Sequence, residues 1–223
     1  QRVYMKNKAL PLVHVCLVSF SGVIPFMAEA TCSSLNPVSG ETVTCSGSGI
    51  PSVNATSGST NVTVNIDATA SGSFSLPALP TPFSIDTAST LTSNGTLSLS
   101  GNGTGVANRG ALLLGMKNGN TLTNGTSGSL TTTGAYNDGM AANGNNNTLV
   151  NNGVISTGGN NSYGMTAAWG QSNPGASGNT ITNTGTVSTT GNNARAVSLL
   201  GGNGTVNNRG SLSTAGKDAP TVY

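Results

Sequence analysis

The pattern Gly-x-aliphatic-x-x-x-Gly recurs five times with unchanged internal spacing: Gly95/Leu97/Gly101, Gly128/Leu130/Gly134, Gly153/Ile155/Gly159, Gly185/Val187/Gly191 and Gly210/Leu212/Gly216. The copies begin 33, 25, 32 and 25 residues apart, which marks a structural repeat that tolerates insertions at particular corners. A further aliphatic stands four residues before the first glycine at Leu91, Leu149, Ile181 and Val206. In the remaining copy Leu122 is six before, displaced by a two-residue insertion. Asn124, Asn151, Asn183 and Asn208 lie between that aliphatic and the glycine. Beyond the second glycine a small residue and an apolar one recur as Gly139-Met140, Gly164-Met165 and Ala196-Val197, with Thr221-Val222 a looser copy. Each unit therefore predicts three short strands separated by turns.

A unit with one or two aliphatics per strand cannot bury them alone. Stacking the units places Leu97, Leu130, Ile155, Val187 and Leu212 in one core ladder, and each side chain contributes roughly 1.5–3 kcal/mol when fully buried. Hydrogen-bonded rungs lie about 4.8 Å apart. The expected fold is all-β: a right-handed parallel β-helix, or β-solenoid, of stacked three-strand rungs. The paired glycines of each copy are expected at the turns, with Asn in left-handed conformations that few other residues accept. Stacked Asn side chains can also bond to one another along the axis. A β-sandwich also suits strands spaced about 8–12 residues apart but does not require identical spacing in successive copies. A disordered Gly/Ser/Thr/Asn linker has no periodic aliphatics.

Composition narrows the function. Gly, Asn, Ser and Thr make up about half of the chain, and only 6% is charged, against roughly 25% in an average domain. Helix-building residues are scarce, which argues against a soluble helical enzyme. From Thr31 onward, Arg109, Lys117, Arg195, Arg209 and Lys217 balance Glu41, Asp67, Asp86, Asp138 and Asp218 without clustering. Nucleic acid and anionic membrane surfaces, which need a concentrated basic footprint, are not indicated as partners.

The net charge of +2 resides at the front, in Arg2, Lys6 and Lys8 against Glu29. Residues 5–30 read as a secretory signal peptide: Met5, two lysines, an apolar run from Ala9 to Met27, then Ala28-Glu29-Ala30, with cleavage expected between Ala30 and Thr31. An uncleaved membrane anchor is the competing reading, opposed by Pro11, His14, Pro25 and the small-x-small end. Thr31 before Cys32 disfavours a lipoprotein signal, and residues 1–4 look like an upstream extension. Export leads to an oxidising compartment, where Cys32 and Cys45 are the two remaining cysteines and are expected to pair. Metal binding is the alternative, although two thiols without a nearby histidine make a poor zinc site.

Residues 31–89 are expected to form an N-terminal cap and irregular first rungs. Asn61–Asp67 alternates apolar and polar residues like a half-buried strand, and the Pro-rich stretch 76–82 interrupts pairing. Residues 90–223 are expected to be the repeats, and the sequence stops inside the third strand of a fifth copy, like a fragment of a longer protein.

No catalytic, cofactor-binding or metal-binding residue is assigned, and no cofactor is implied. The single histidine, His14, lies in the signal, which leaves no Ser-His-Asp or Cys-His arrangement. Glycoside hydrolysis needs two carboxylates about 5–10 Å apart, and nothing marks a pair among the scattered acids. The Gly-Asn-Gly runs lack the Lys-Ser/Thr of a phosphate loop, and the periodic Asp of a calcium-binding nonapeptide repeat is missing. Tyr163 and Trp169 flank Gly164-Met165 as either a small exposed binding patch or rung-end packing.

The signal, the early Cys pair, the strand Asn-Val-Thr-Val-Asn-Ile and repeats such as Thr148–Met165 resemble the N-terminal passenger region of bacterial autotransporters, the type V secreted outer-membrane proteins. The likeness runs from about Met5 to Tyr223. It implies Sec export, passage through a C-terminal β-barrel, and display of a β-helical passenger on the cell surface, for adhesion or to carry an appended enzyme. The sequence contains no barrel segment, so outer-membrane anchoring is expected of a missing C-terminal part. The expected function is a non-catalytic structural or adhesive stalk that meets a host or cell-surface ligand. The rival is a secreted β-helical polysaccharide hydrolase or lyase, which clustered acids or Lys/Arg on one strand face would favour.

Overall fold

The structure is a computed structural model that describes residues 29–78, 81–105, 109–167 and 175–223. Most of the proposed signal segment, Trp169 and the start of the Gln171–Gly178 insertion lie outside the described residues.

After a short strand β1 (Thr31–Cys32), the chain winds through successive coils. The first holds β2 (Thr42–Ser46) and β3 (Val53–Asn54), and the second β4 (Thr63–Ile66), β5 (Ser71–Ser75) and β6 (Phe83–Ile85). The third holds β7 (Thr90–Ser93), β8 (Thr96–Ser100) and β9 (Gly110–Gly115). The fourth holds β10 (Thr121–Asn124), β11 (Ser129–Thr132) and β12 (Asn137–Ala142). The fifth is β13 (Thr148–Asn151), β14 (Val154–Thr157) and β15 (Tyr163–Ala167), and the sixth β16 (Thr180–Asn183), β17 (Thr186–Thr189) and β18 (Arg195–Leu199). The seventh contains β19 (Thr205–Asn208) and β20 (Ser211–Thr214), and Val222 bridges back to Val197.

Each strand pairs in parallel with its counterpart one coil on, which makes three sheets, one per face of a right-handed parallel β-helix. The first face runs β2-β4-β7-β10-β13-β16-β19, the second β5-β8-β11-β14-β17-β20 and the third β3-β6-β9-β12-β15-β18.

Strand alternation decides what is inside. On the first face Val64, Leu91, Leu122, Leu149, Ile181 and Val206 occupy one register position. On the second, Leu97, Leu130, Ile155, Val187 and Leu212 occupy one position, the first four fully buried and Leu212 partly so. On the third, Phe83, Leu113, Met140, Met165 and Val197 do the same. Outward on the first face stands a column of threonines, one per coil, from Thr42 and Thr63 through Thr90, Thr121, Thr148 and Thr180 to Thr205. The insertion after Leu122 falls in the corner between β10 and β11, so Leu122 keeps its register with Leu91 and Leu149.

All ten repeat glycines lie at corners between strands, for two different physical reasons. Of the ten repeat glycines, only Gly101 and Gly134 have positive φ. Gly95, Gly128, Gly153, Gly185 and Gly210, and likewise Gly159, Gly191 and Gly216, are glycines because the neighbouring coil passes too close for a Cβ. A Cβ on Gly153 would strike the Gly128 carbonyl oxygen, one on Gly185 that of Gly153, and one on Gly159 that of Gly134. The left-handed asparagines are not those of the repeat. They are Asn61, Asn146, Asn161, Asn193 and Asn203, in the turns that lead into the first and third faces.

Asn124, Asn151, Asn183 and Asn208 end the first-face strands instead and form a ladder. Each of the first three side-chain amides donates to the next asparagine's Oδ1 at 2.8 Å. A second ladder stands at the start of that face: the Ser89 backbone N–H donates to Asn120 Oδ1, Asn120 N–H to Asn147 Oδ1, and Asn147 N–H to Asn179 Oδ1. Asn120, Asn124, Asn147 and Asn151 are fully buried, and these bonds satisfy groups that would otherwise oppose burial.

The first coil is covered by the segment before β2. β1 pairs antiparallel with β2, and a Cys32–Cys45 disulfide joins them. Further along, Asn54 N–H donates to the Leu35 carbonyl, Thr56 N–H to that of Pro37, and Gly40 N–H to that of Thr60. The segment thus lies across the backbone edge of coil one, an edge that would otherwise be free to pair with another chain.

Candidate functional site

Position four after the second glycine of a copy is where the third-face strand emerges from its corner. It holds Asp138 after Gly134, Tyr163 after Gly159 and Arg195 after Gly191. Tyr163 pairs directly with Arg195, and Asp138 lies one coil before Tyr163, two residues ahead of the Met140–Met165 pair. Large polar side chains at a position flanked by glycine and alanine therefore stack on one another. Arg109 enters the same region just before β9, after a longer connection from Gly101.

The Arg109 guanidinium grips the Asp138 carboxylate with two nitrogens, Nε to Oδ2 at 3.0 Å and Nη2 to Oδ1. Nη2 also donates to the Asn161 carbonyl at 2.7 Å, and Asp138 Oδ1 accepts the Tyr163 backbone N–H at 2.7 Å. Both charged side chains are buried. Burial disfavours the arginine charge, but the charge and hydrogen bonds of Asp138, with a further contribution from Tyr163, outweigh it and hold the Arg109 pKa above its ordinary value.

Aromatic rings bracket these cations. Arg109 lies 5.7 Å from the Tyr136 ring centre and 4.1 Å from that of Tyr163. Arg195 lies 5.1 Å from the Tyr163 ring centre and 3.4 Å from that of Tyr223. Tyr136, Arg109, Tyr163, Arg195 and Tyr223 thus form one column running from coil three to coil seven, each contact within cation–π range. Tyr136 and Tyr163 are half-buried, Arg195 is half-exposed and Tyr223 is exposed. Tyr136 also carries a positive φ of 59°, at the corner position held by Asn161 and Asn193 in the following coils.

The sequence marks Tyr163 but pairs it with Trp169, which is outside the described residues. It does not mark the arginines, because they are far apart along the chain and look scattered. The signal is present nonetheless: aligning the repeats puts Asp138, Tyr163 and Arg195 at one position.

Asp86 and Asp67 are held by backbone N–H groups and hydroxyls. Asp86 accepts from the Gly58 N–H at 2.8 Å and the Thr87 hydroxyl at 2.9 Å, and Asp67 accepts from the Thr69 N–H and hydroxyl at 2.9 and 2.6 Å. Among the described residues no group of three or more His, Cys, Asp or Glu could hold a metal ion, and no helix is long and apolar enough to cross a membrane.

A family model described as the BigA third pectate lyase-like domain matches residues 19–221. No curated protein and no solved structure matches the chain.

Proposed function

Since the chain belongs to the family of the BigA third pectate lyase-like domain, we propose that it is a surface-exposed, non-catalytic passenger of an autotransporter-type outer-membrane protein, acting as a stalk that contacts a ligand on a host or neighbouring cell. In this reading the segment before Thr31 directs Sec export, and a C-terminal β-barrel outside this sequence supplies the outer-membrane anchor.

One observation supports it above the others: the Arg–Tyr column lies along the side of an uninterrupted stack of coils, on a backbone held in register by strand pairing from coil to coil. A rigid rod with a lateral band of aromatics and cations is suited to contact rather than turnover. Arg and Tyr concentrate where proteins bind one another.

The family description favours a second reading, a polysaccharide lyase or hydrolase, and so does the gathering of Arg109, Asp138 and Arg195 on the third face. Against it, Asp138 is bonded to Arg109 and to a backbone N–H, so that neither charge is presented to a substrate.

The experiment is to coat beads with the chain and count their attachment to epithelial and bacterial cells, alongside a turnover screen on acidic and neutral polysaccharides. Attachment above that of uncoated beads with no turnover supports the stalk. Turnover that Asp138→Asn abolishes while the circular dichroism of the fold is unchanged supports the enzyme.

A further inference from the structure

The two arginines that flank Tyr163 are chemically unequal. Arg109 has its carboxylate: Asp138 takes Nε and one Nη, and Asn161 takes a further proton. Arg195 lies within cation–π range of the same ring and has no carboxylate partner among the described residues. Its side-chain hydrogen bond is Nη1 to Ser198 Oγ at 3.2 Å. The rings of Tyr163 and Tyr223 stand within cation–π range of the guanidinium, and the residue is partly exposed to solvent.

A guanidinium presents five donors in a planar fork that matches the two oxygens of a carboxylate. A cation positioned by aromatic rings loses less freedom on binding than one on a free side chain. The protein supplies its own template three coils away, at Arg109. There an Arg beside Tyr163 is satisfied by an aspartate side chain, whose second contact is a backbone N–H.

We propose that the partly exposed Arg195, beside the rings of Tyr163 and Tyr223, is a binding position for an Asp or Glu side chain of an acidic peptide segment on a partner protein. This rests on the surface-contact reading above and gives that contact its chemistry. The partner's carboxylate does for Arg195 what Asp138 does for Arg109. Ser198 and the ring edges of the two tyrosines set the approach.

The test is a titration of the full chain with a short glutamate peptide, with a glutamine peptide and a uronate oligosaccharide as comparison ligands, followed through the arginine Nε–H resonances. The expected result is a saturable shift of the Arg195 resonance with the glutamate peptide alone. Arg195→Gln should weaken binding by about tenfold or more, as loss of a charged two-point hydrogen bond implies. Arg209→Gln, in the turn after β19, should leave it unchanged. Arg195→Lys, which keeps the charge but not the fork, should also weaken binding and covers the case in which Arg195→Gln fails to fold. Equal losses from Arg195→Gln and Arg209→Gln, absence of an Arg195 shift, or tighter binding of the uronate would each overturn the proposal. Beads that keep attaching to cells when coated with Arg195→Gln would sink this site and leave the stalk reading standing. Beads coated with the unaltered chain that fail to attach would sink the stalk reading itself.

Discussion

Arg109 and Asp138, separated by 29 residues, meet as a fully desolvated ion pair between adjacent coils of a chain with almost no charge. Nothing else in the described structure ties two coils together through opposite charges away from solvent.

Removing one member strands the other, so Arg109→Met or Asp138→Leu is expected to cost about 3–5 kcal/mol. The double replacement should recover most of that loss, because well-packed apolar groups tolerate such a site. Denaturant melts of the two singles and the double, compared as a cycle, check this. Raised in the fold, the Arg109 pKa makes its contribution complete at every pH below the unfolded value. It disappears only as pH climbs through the folded value, in strong alkali.

Asn151 sits mid-ladder, donating to Asn183 Oδ1, Gly153 O and Thr186 O while accepting from Asn124. Asn151→Ala should cost about 2–4 kcal/mol, the sum of lost bonds and a donor left without its acceptor. Amide hydrogen exchange should quicken most in β13 and β16. Equal protection loss throughout the chain would contradict a local role.

Glycine substitutions separate close approach from backbone conformation. Gly159→Ala drives a methyl into the Gly134 carbonyl and should cost about 1–3 kcal/mol through forced coil separation. Gly202→Ala meets open space without a positive φ and should stay within about 0.5 kcal/mol of the parent. Thermal melts of both variants decide it.

Reducing the Cys32–Cys45 bridge, which closes a span of 13 residues, should lower stability by about 3 kcal/mol. It should also loosen β1 from β2. Limited proteolysis before and after reduction should show new cleavage between Thr31 and Gly40, with the coils from β4 onward still protected.

The repeat made much of this architecture legible in advance. Leu97, Leu130, Ile155, Val187 and Leu212 share one register position because a parallel stack turns equal spacing into vertical alignment. Spacing alone cannot distinguish a glycine needed for positive φ from one needed for thinness, since both leave the same letter. Gly101 is the first kind and Gly159 mainly the second. The Arg–Tyr column was harder to see because the connection from Gly101 to Arg109 is longer than the corner from Gly159 to Tyr163. Counting along the chain does not put Arg109 beside Tyr163. Only the path of the backbone does.

The identical pairing of every coil with the next has a consequence for how such a chain can change. A whole coil duplicated or deleted between two threonines of the outward column would shift the reach of the rod by about 4.8 Å and leave each face pointing as before. Length behaves here as a setting independent of surface chemistry. A protein of this design can be tuned like a ruler, one graduation at a time.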